Sequence, residues 1–429
     1  MALVTAAWWF ENWRGARVWE EAKARAEAAG VSLNRADYAG PEIPDEENLL
    51  LNPVFREELE KEGEERLGSW RAPLTDGGIS RISDLDPETG ETVAFRDYFA
   101  DGVTEEEALK RVTDLTREEE RRIDKIAAEI SNAGPRRILA RSDACSKLLD
   151  LGKEVIKFDS LRAAFSESAL TALRSGDAEK ALQRIETVDR LRNMLEGPSM
   201  VSLIVSMGWL SGELNLVWEG LRLRVWNENQ LDRLLGLLES IDLYGAVESS
   251  ICFEAAFIAE ALDDLSNGQD QGSPPITYSN WILLYGPEGR VLREKALAVE
   301  GYLRMVEALR RKERAEVLKI RKSFQRANLD EDAISSQGIL LLLSIVESVT
   351  GPTSVDVRLA KLSLAAERYF AQNGRCPDTV NDFGEGIDVR NVDYQLAPDG
   401  RPRIAIAVGD GDEEVSMRWQ FSPDDSDSD

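Results

Sequence analysis

A nearly unbroken series of helical patterns from Thr104 to Ala327 most strongly constrains how this chain folds. Apolar residues recur there every three or four positions, the spacing that buries one face of an α-helix. Thr104 with Glu107, and Thr116 with Glu119, form capping-box pairs that mark helix starts. The pattern predicts a mainly α protein whose multi-helix body, residues 104–350, contains helical hairpins.

The segment before this body shows no persistent helical period. Residues 31–103 instead carry scattered glycines and the prolines Pro41, Pro44, Pro53, Pro73 and Pro87. This composition predicts an extended N-terminal arm, with one short strand at Thr92–Phe95.

Beyond residue 350 the hydrophobic period changes from helical spacing to alternation. A helix is predicted at Val355–Asn373, followed by strands at Val392–Leu396, Arg403–Val408 and Val415–Phe421. The sequence therefore predicts a small C-terminal element, residues 351–422, made of one helix and an antiparallel β meander. The acidic tail 423–429 should be disordered.

The chain contains no histidine in 429 residues, which excludes several kinds of chemistry. Ser-His-Asp and Cys-His hydrolysis, His-ligated zinc and two-His iron sites all require that side chain. The cysteines Cys145, Cys252 and Cys376 show no CxxC spacing, although a single disulfide between two of them stays open. Cys252 lies in an apolar run and is predicted to be buried. No cofactor is predicted.

The charge is strongly acidic. The chain has 52 basic and 79 acidic residues, for a net charge of −27. Such a charge repels phosphate backbones and anionic lipids, so nucleic acid is excluded as a partner and a protein with a cationic surface is expected.

The first ten residues, MALVTAAWWF, are apolar and end abruptly at Glu11. They are too few to span a bilayer, which needs about 20 residues. The cluster of Trp8, Trp9 and Phe10 beside charged residues is typical of a membrane interface. Two interpretations stay open: residues 1–30 are the remainder of a membrane anchor and its juxtamembrane helix, mostly absent from this chain, or an ordinary amphipathic first helix.

Three acidic residues form a weak candidate catalytic site. Glu254 lies among Phe253, Ala255 and other apolar neighbours, which would raise its pKa. With Glu260 or Asp264 it could form the acid/base pair of a glycan hydrolase. The alternative is that these carboxylates pair with arginines inside the protein.

Two further patterns suggest binding. Trp209, Trp218 and Trp226 could line a binding surface, which we place in the groove between the hairpin Leu161–Leu195 and the helix Met200–Leu221; core packing is the alternative. The loop at 409–414 could hold calcium through its carboxylates or be a solvated turn. Those carboxylates belong to Asp410, Asp412, Glu413 and Glu414.

The clearest helical hairpin pairs Leu161–Arg174 with Ala178–Leu195 across the turn Ser175-Gly176-Asp177. Gly176 should end the first helix, Asp177 should cap the second, and Ala181 should allow close packing. The string GDAEKAL resembles the turn between helices of a tetratricopeptide repeat. No 34-residue recurrence follows, so one such hairpin is predicted rather than an array.

The C-terminal helix carries an AxxxYxxxxGxxP pattern through Ala365, Tyr369, Gly374 and Pro377. This pattern resembles the segment that follows the long helix in type II secretion pseudopilins. Cys376 replaces an aromatic residue that is common there. The resemblance concerns packing and implies no catalysis.

Other motifs extend the resemblance over most of the chain: WRGxxxWEExK from Trp13 and PxxPDEEN from Pro41. Together with the hairpin, they resemble a set of bacterial membrane-anchored helical proteins to which no activity is assigned. The resemblance implies a non-catalytic, extracytoplasmic protein of the cell envelope that acts as an interaction or scaffold module. The alternative function is the glycan hydrolase with Glu254 as general acid.

Overall fold

The computed structural model confirms a mainly α-helical protein. It describes residues 2–38, 44, 51–61, 105–132, 148–195, 197–266, 287–311, 319–320, 343, 345–347, 349–384, 386–396, 402–408 and 415–420. Helices account for 80% of these residues. The predicted strand Thr92–Phe95, the carboxylate loop 409–414, the tail 423–429 and Cys145 lie outside them.

The described helices are numbered in chain order. They are α1 (Ala2–Ala28), α2 (Pro53–Leu59), α3 (Glu105–Asn132), α4 (Leu148–Arg174), α5 (Ala178–Leu195), α6 (Met200–Arg222), α7 (Glu228–Glu239), α8 (Leu243–Ser266), α9 (Glu288–Arg310) and α10 (Ser354–Asn373).

The chain forms two compact units, each made of three separate segments. The first unit contains Met1–Pro41, Gly197–Ile204 and Asp242–Pro352. The second contains Glu42–Glu196, Val205–Ile241 and Thr353–Asp429. The predicted helical body, residues 104–350, thus contributes to both units.

In the first unit, α1 packs along α9, and α9 packs in turn against α8. Ala22 and Ala26 are buried on α1, four residues apart and therefore on one helix face. Their small side chains let the two helices approach closely. A short 3₁₀ turn, Arg35–Tyr38, lies against α8.

In the second unit, α4 and α5 form an antiparallel hairpin that packs against α3. Its core includes aromatic residues from α2, α4 and α6, namely Phe55, Phe158, Phe165 and Trp209, together with Ile126 of α3. Burying an aromatic or large aliphatic side chain stabilises the fold by about 1.5–3 kcal/mol.

The turn of this hairpin has the predicted chemistry. Gly176 adopts a positive φ of 80°, which glycine tolerates best, and the Oδ1 atom of Asp177 accepts the Lys180 N–H at 3.1 Å. Ala181 is fully buried. The second helix has the predicted bounds, whereas the first begins at Leu148 rather than at Leu161.

The C-terminal meander is confirmed. β1 (Val392–Leu396), β2 (Pro402–Val408) and β3 (Val415–Gln420) form an antiparallel sheet in the order β1-β2-β3. In the strand register, Tyr394 pairs with Ile404, and Ile404 pairs with Trp419. The sheet and α10 share a core that includes Leu362, Phe383, Ile404 and Ile406.

Two short helices begin where the sequence analysis marked no helix start, although α7 lies inside the predicted helical series. α2 lies within the segment expected to be extended, and the side chain of Asn52 caps it by accepting the Val54 N–H at 2.9 Å. Asn227 and Gln230 form a reciprocal capping box that opens α7. Both caps were visible in the sequence as asparagines directly before helix-forming residues.

Candidate functional site

The N-terminal end of α1 presents an exposed aromatic cluster. Trp8, Trp9, Phe10 and Trp13 are 45%, 68%, 52% and 49% exposed, respectively. We call these four residues the aromatic end. Large exposed apolar patches of this kind mark interaction or membrane sites in soluble proteins.

The aromatic end surrounds the helix instead of forming a stripe. Successive helical residues point about 100° apart, so Trp8, Trp9 and Phe10 face three directions. The residues from Thr5 to Phe10 are all exposed. A helix that is apolar all round is normally enclosed by protein or by lipid.

One turn further on, α1 is held tightly against α9. Gly15 and Gly289 lie at the crossing, where a Cβ atom on either residue would overlap the backbone of the opposite helix. The Gly289 N–H donates a hydrogen bond to the Oδ1 atom of Asn12 at 2.9 Å. Glu11 also pairs with Arg293 of α9. The aromatic end is therefore the continuation of a helix that is fixed to α9.

A groove of about 440 Å³ runs between α1 and α9 beyond this crossing. Exposed apolar side chains, Val18 and Leu297, line it together with the arginines Arg14 and Arg304. The carboxylates of Glu21, Glu294 and Glu300 line it as well, and Glu300 pairs with Arg304. The groove therefore combines apolar surface with charges of both signs. We call it the α1–α9 groove.

The charge of α1 differs from that of the whole chain. It carries as many basic as acidic side chains, with Arg14, Arg17, Lys23 and Arg25 set against Glu11, Glu20, Glu21 and Glu27. In a chain of net charge −27, α1 is consequently a locally neutral surface.

Glu254 has a structural partner. It is half-buried on α8, and its Oε1 atom accepts the Met200 N–H at 3.0 Å. Burial raises the pKa of Glu254, and this hydrogen bond partly opposes the shift. The carboxylate thus satisfies a free N–H group at the start of α6, as a capping side chain does.

Glu260 is paired with an arginine and not with Glu254. Glu260 accepts the Arg35 N–H at 2.9 Å and forms an ion pair with the Arg35 guanidinium at 3.3 Å. It lies about 120° around the helix from Glu254, given six residues at 100° each. The side chain of Asp264 lies outside the described residues. The arginine pairing that was the alternative interpretation applies to Glu260.

The tryptophans predicted to bind a partner occupy interior positions. Trp209 is 2% exposed and belongs to the core of the second unit. Trp226 is 6% exposed and packs against Gly220 so closely that a Cβ atom there would overlap its indole. Trp218 is half-buried beside the C-terminal core. The prediction of a tryptophan-lined surface is therefore wrong for Trp209 and Trp226.

The predicted groove beside α6 is filled by a buried ion network. The Arg192 guanidinium of α5 donates to the Glu213 carboxylate of α6 at 3.1 Å and also pairs with Asp189. The pKa of Glu213 is raised to about 7, mainly because burial and the nearby Asp189 outweigh the lowering by Arg192. At these residues the space between α5 and α6 is occupied by buried, paired charges.

Among the residues described, α6 is long and apolar enough to cross a membrane by length and composition. However, 61% of its apolar stretch is buried inside the protein. It also carries Glu213 and Glu219, and Glu219 is paired with Arg174 and Arg222. These features are typical of a core helix.

The cysteines and the metal prediction add no further site. Cys252 is buried with a free thiol, as predicted, and burial raises its pKa to about 11. Cys376 is likewise reduced and not in a disulfide. Within the described part of the chain, no group of three Cys, Asp or Glu side chains could hold a metal ion. The calcium hypothesis concerns residues outside that part.

No protein-family model, curated protein or solved structure matches this chain. The pseudopilin-like and tetratricopeptide-like resemblances accordingly stay predictions. Gly374 ends α10 with a positive φ of 67°, a conformation that glycine adopts readily.

Sequence reasoning identified the aromatic end but missed its attachment to α9. Gly15 and Gly289 were the available signal, because a glycine inside a helical pattern often marks a close helix contact. The partner of each glycine is more than 270 positions away and could not be read from local periodicity.

Proposed function

We propose that this protein is a non-catalytic interaction module held at a membrane of the cell envelope through the aromatic end of α1. The observation that carries the proposal is the exposed ring of Trp8, Trp9 and Phe10, with Trp13 one turn further. Tryptophan is enriched where a protein meets the interface of a bilayer. An exposed cluster of four aromatic residues loses unfavourable contact with water when lipid covers it.

The proposal assigns attachment to α1 rather than to α6. Most of the apolar stretch of α6 is buried, and its carboxylates are paired with arginines. Moving α6 into lipid would expose these ion pairs and empty the core. The aromatic end requires no such rearrangement, because it is already exposed.

A non-catalytic role is supported by the positions of the candidate acids. Glu254 caps a helix and Glu260 pairs with Arg35, so each has a structural function. The helical hairpin and the C-terminal meander are platforms of the kind that bind other proteins. The net charge of −27 favours a partner with a cationic surface, and we place the body on the extracytoplasmic side.

Flotation with lipid vesicles tests the attachment. We expect the wild-type protein to float with zwitterionic vesicles at physiological salt, and the triple variant Trp8→Ser, Trp9→Ser, Phe10→Ser to stay unbound. Leu396→Ser is the matched control, because it removes an apolar side chain of 44% exposure from a strand instead. Equal flotation of the triple variant and the wild type would refute attachment through α1.

Capture from an envelope extract tests the interaction role. A cationic partner should be retained at low salt and released at high salt, because screening weakens attraction between exposed charges. Retention that does not change with salt would contradict the charge argument.

A further inference from the structure

We infer that the α1–α9 groove binds an amphipathic helix of a partner protein, which carries an apolar and a basic residue between two carboxylates three turns apart. The inference concerns a second surface. It rests neither on membrane attachment nor on the cationic partner proposed above.

The two helices that form the groove run in the same direction. Gly15 meets Gly289 at the crossing, and further along both helices the Arg310 guanidinium donates to the Ala29 carbonyl. From Gly15 to Ala29 the helix rises about 20 Å. The α1–α9 groove therefore has the form of a trough between parallel helices, the kind of surface in which an amphipathic helix lies.

Each helix presents the same order of side chains to the groove: an arginine, an apolar residue, a glutamate and a second arginine. The spacings of four, three and four residues place all four on one helix face. The members are Arg14, Val18, Glu21 and Arg25 on α1, and Arg293, Leu297, Glu300 and Arg304 on α9. Arginines therefore lie at both ends of the groove, with apolar and acidic side chains between them.

The first end of the groove has an excess guanidinium. Glu11 pairs with Arg293 there. Arg14 is exposed, and no carboxylate among the residues that the structure describes pairs with it. A carboxylate of the partner helix can bind Arg14 at this end.

The second end also has more guanidinium groups than carboxylates. Arg25 and Arg304 both pair with Glu300, so one carboxylate serves two arginines. A guanidinium carries five N–H donors, and some of these remain for another acceptor. A second carboxylate of the partner helix fits between the two arginines.

The acidic side chains between the ends include one that is unpaired. Glu21 pairs with Arg17 of its own helix. Glu294 lines the groove from α9, on the wall opposite to Arg14, and has no ion-pair partner within the described part of the chain. A lysine or arginine of the partner helix can therefore pair with Glu294.

The middle of the groove is apolar. Leu297 is 58% exposed and Val18 is 36% exposed, while Ala22 and Ala296 are buried and small enough to leave room above them. An apolar side chain of the partner helix would remove Leu297 and Val18 from water. This contact adds a hydrophobic contribution to the charge pairing.

The spacing of the partner residues follows from the groove. Arg14 and Arg25 are 11 residues apart, as are Arg293 and Arg304. A complementary helix thus carries the order Glu, Leu, Lys, Glu at spacings of four, three and four. The net charge of −27 does not prevent this pairing, because salt screens distant charges beyond about 8 Å at physiological ionic strength.

Synthetic peptides test the inference. One labelled, alanine-based peptide carries Glu, Leu, Lys and Glu at these spacings, and a second carries Lys, Leu, Glu and Lys at the same positions. Circular dichroism checks that both are helical. In fluorescence anisotropy, we expect the full-length protein to bind the first peptide about tenfold more tightly, because the second places like charges together.

Substitutions assign the binding to the groove. Arg14→Glu with Arg304→Glu should reverse the preference in favour of the second peptide. Leu297→Ser should weaken both peptides, whereas the control Leu396→Ser, which changes an exposed leucine of β1, should weaken neither. All four side chains are exposed, and thermal unfolding checks that each variant is folded.

Three results would overturn the inference. They are equal binding of the two peptides, binding that Leu297→Ser leaves unchanged, and failure of both peptides to bind. In the last case, a dimer in analytical ultracentrifugation that Leu297→Ser dissociates would identify a second copy of the chain as the occupant instead.

Discussion

Gly15 and Gly289 bring the backbones of α1 and α9 into direct contact, with no room for a methyl group on either residue. Gly15→Ala should therefore force the helices apart or distort them. Overpacking of this kind costs about 1–3 kcal/mol. A lower thermal unfolding midpoint is the expected result.

Gly236→Ala is the matched control for this prediction. Gly236 is an exposed position inside α7, and nothing lies within 4 Å of a Cβ atom built there. Alanine should stabilise that helix by up to about 1 kcal/mol. If both substitutions raise the midpoint, the helices do not cross as described.

The buried carboxyl of Glu213 should make stability depend on pH. Its pKa in the folded protein is about 7, above the ordinary value of 4.5, so the folded state keeps a proton that the unfolded state releases. Stability should therefore be greatest below the ordinary pKa and fall as the pH rises to about 7. By linkage, the loss amounts to about 3 kcal/mol.

Glu213→Gln provides the comparison, since it keeps the shape and cannot ionise. Urea unfolding of both proteins at several pH values between 4.5 and 8 should show a flatter profile for the variant. Burial also raises the pKa of Asp356 to about 6, so some dependence of the same sign should remain. Parallel profiles for the two proteins would argue against the role of Glu213.

Two tryptophans should respond in opposite ways to truncation. Trp209→Ala removes a core side chain and should cost about 3–5 kcal/mol. Trp9→Ala changes an exposed residue and should alter stability by less than about 0.5 kcal/mol, while it weakens flotation with vesicles. A stable Trp209→Ala protein that has lost a protein partner would instead restore the binding role of this residue.

Glu254 should behave as a helix cap in stability measurements. Glu254→Ala removes the acceptor of the Met200 N–H and should cost about 1 kcal/mol, whereas Glu254→Gln retains a carbonyl oxygen there. Thermal unfolding compares the two. Hydrolysis of a cell-wall glycan by the wild type that Glu254→Gln abolishes would instead establish the enzyme.

Local signals in the sequence predicted local structure well. Asp177 and Gly176 located the start of α5, and the alternation in Ile404 and Ile406 located β2, because caps, turns and pleats depend on adjacent residues. The start of α4 was placed thirteen residues late at Leu161, where the apolar period becomes clear. Helices can continue where their sequence pattern is weak.

Local sequence signals could not predict which tryptophans are buried or how the chain divides into two units. Trp209 and Trp9 are both tryptophans in apolar helical segments, yet one is interior and the other exposed. The difference arises from which distant segments pack nearby. A local sequence pattern does not identify those distant segments. The same holds for Glu254, whose partner Met200 lies on another helix.

The pairing of α1 with α9 also fixes an order of events during synthesis. The ribosome must add the whole chain from Ala28 to Glu288 before α9 exists, which takes on the order of tens of seconds. During that interval the face of α1 around Ala22 and Ala26 cannot yet pack against α9. The aromatic end, in contrast, is complete as soon as it leaves the exit tunnel. Under the attachment proposed above, the nascent protein would meet a bilayer long before its first unit can close.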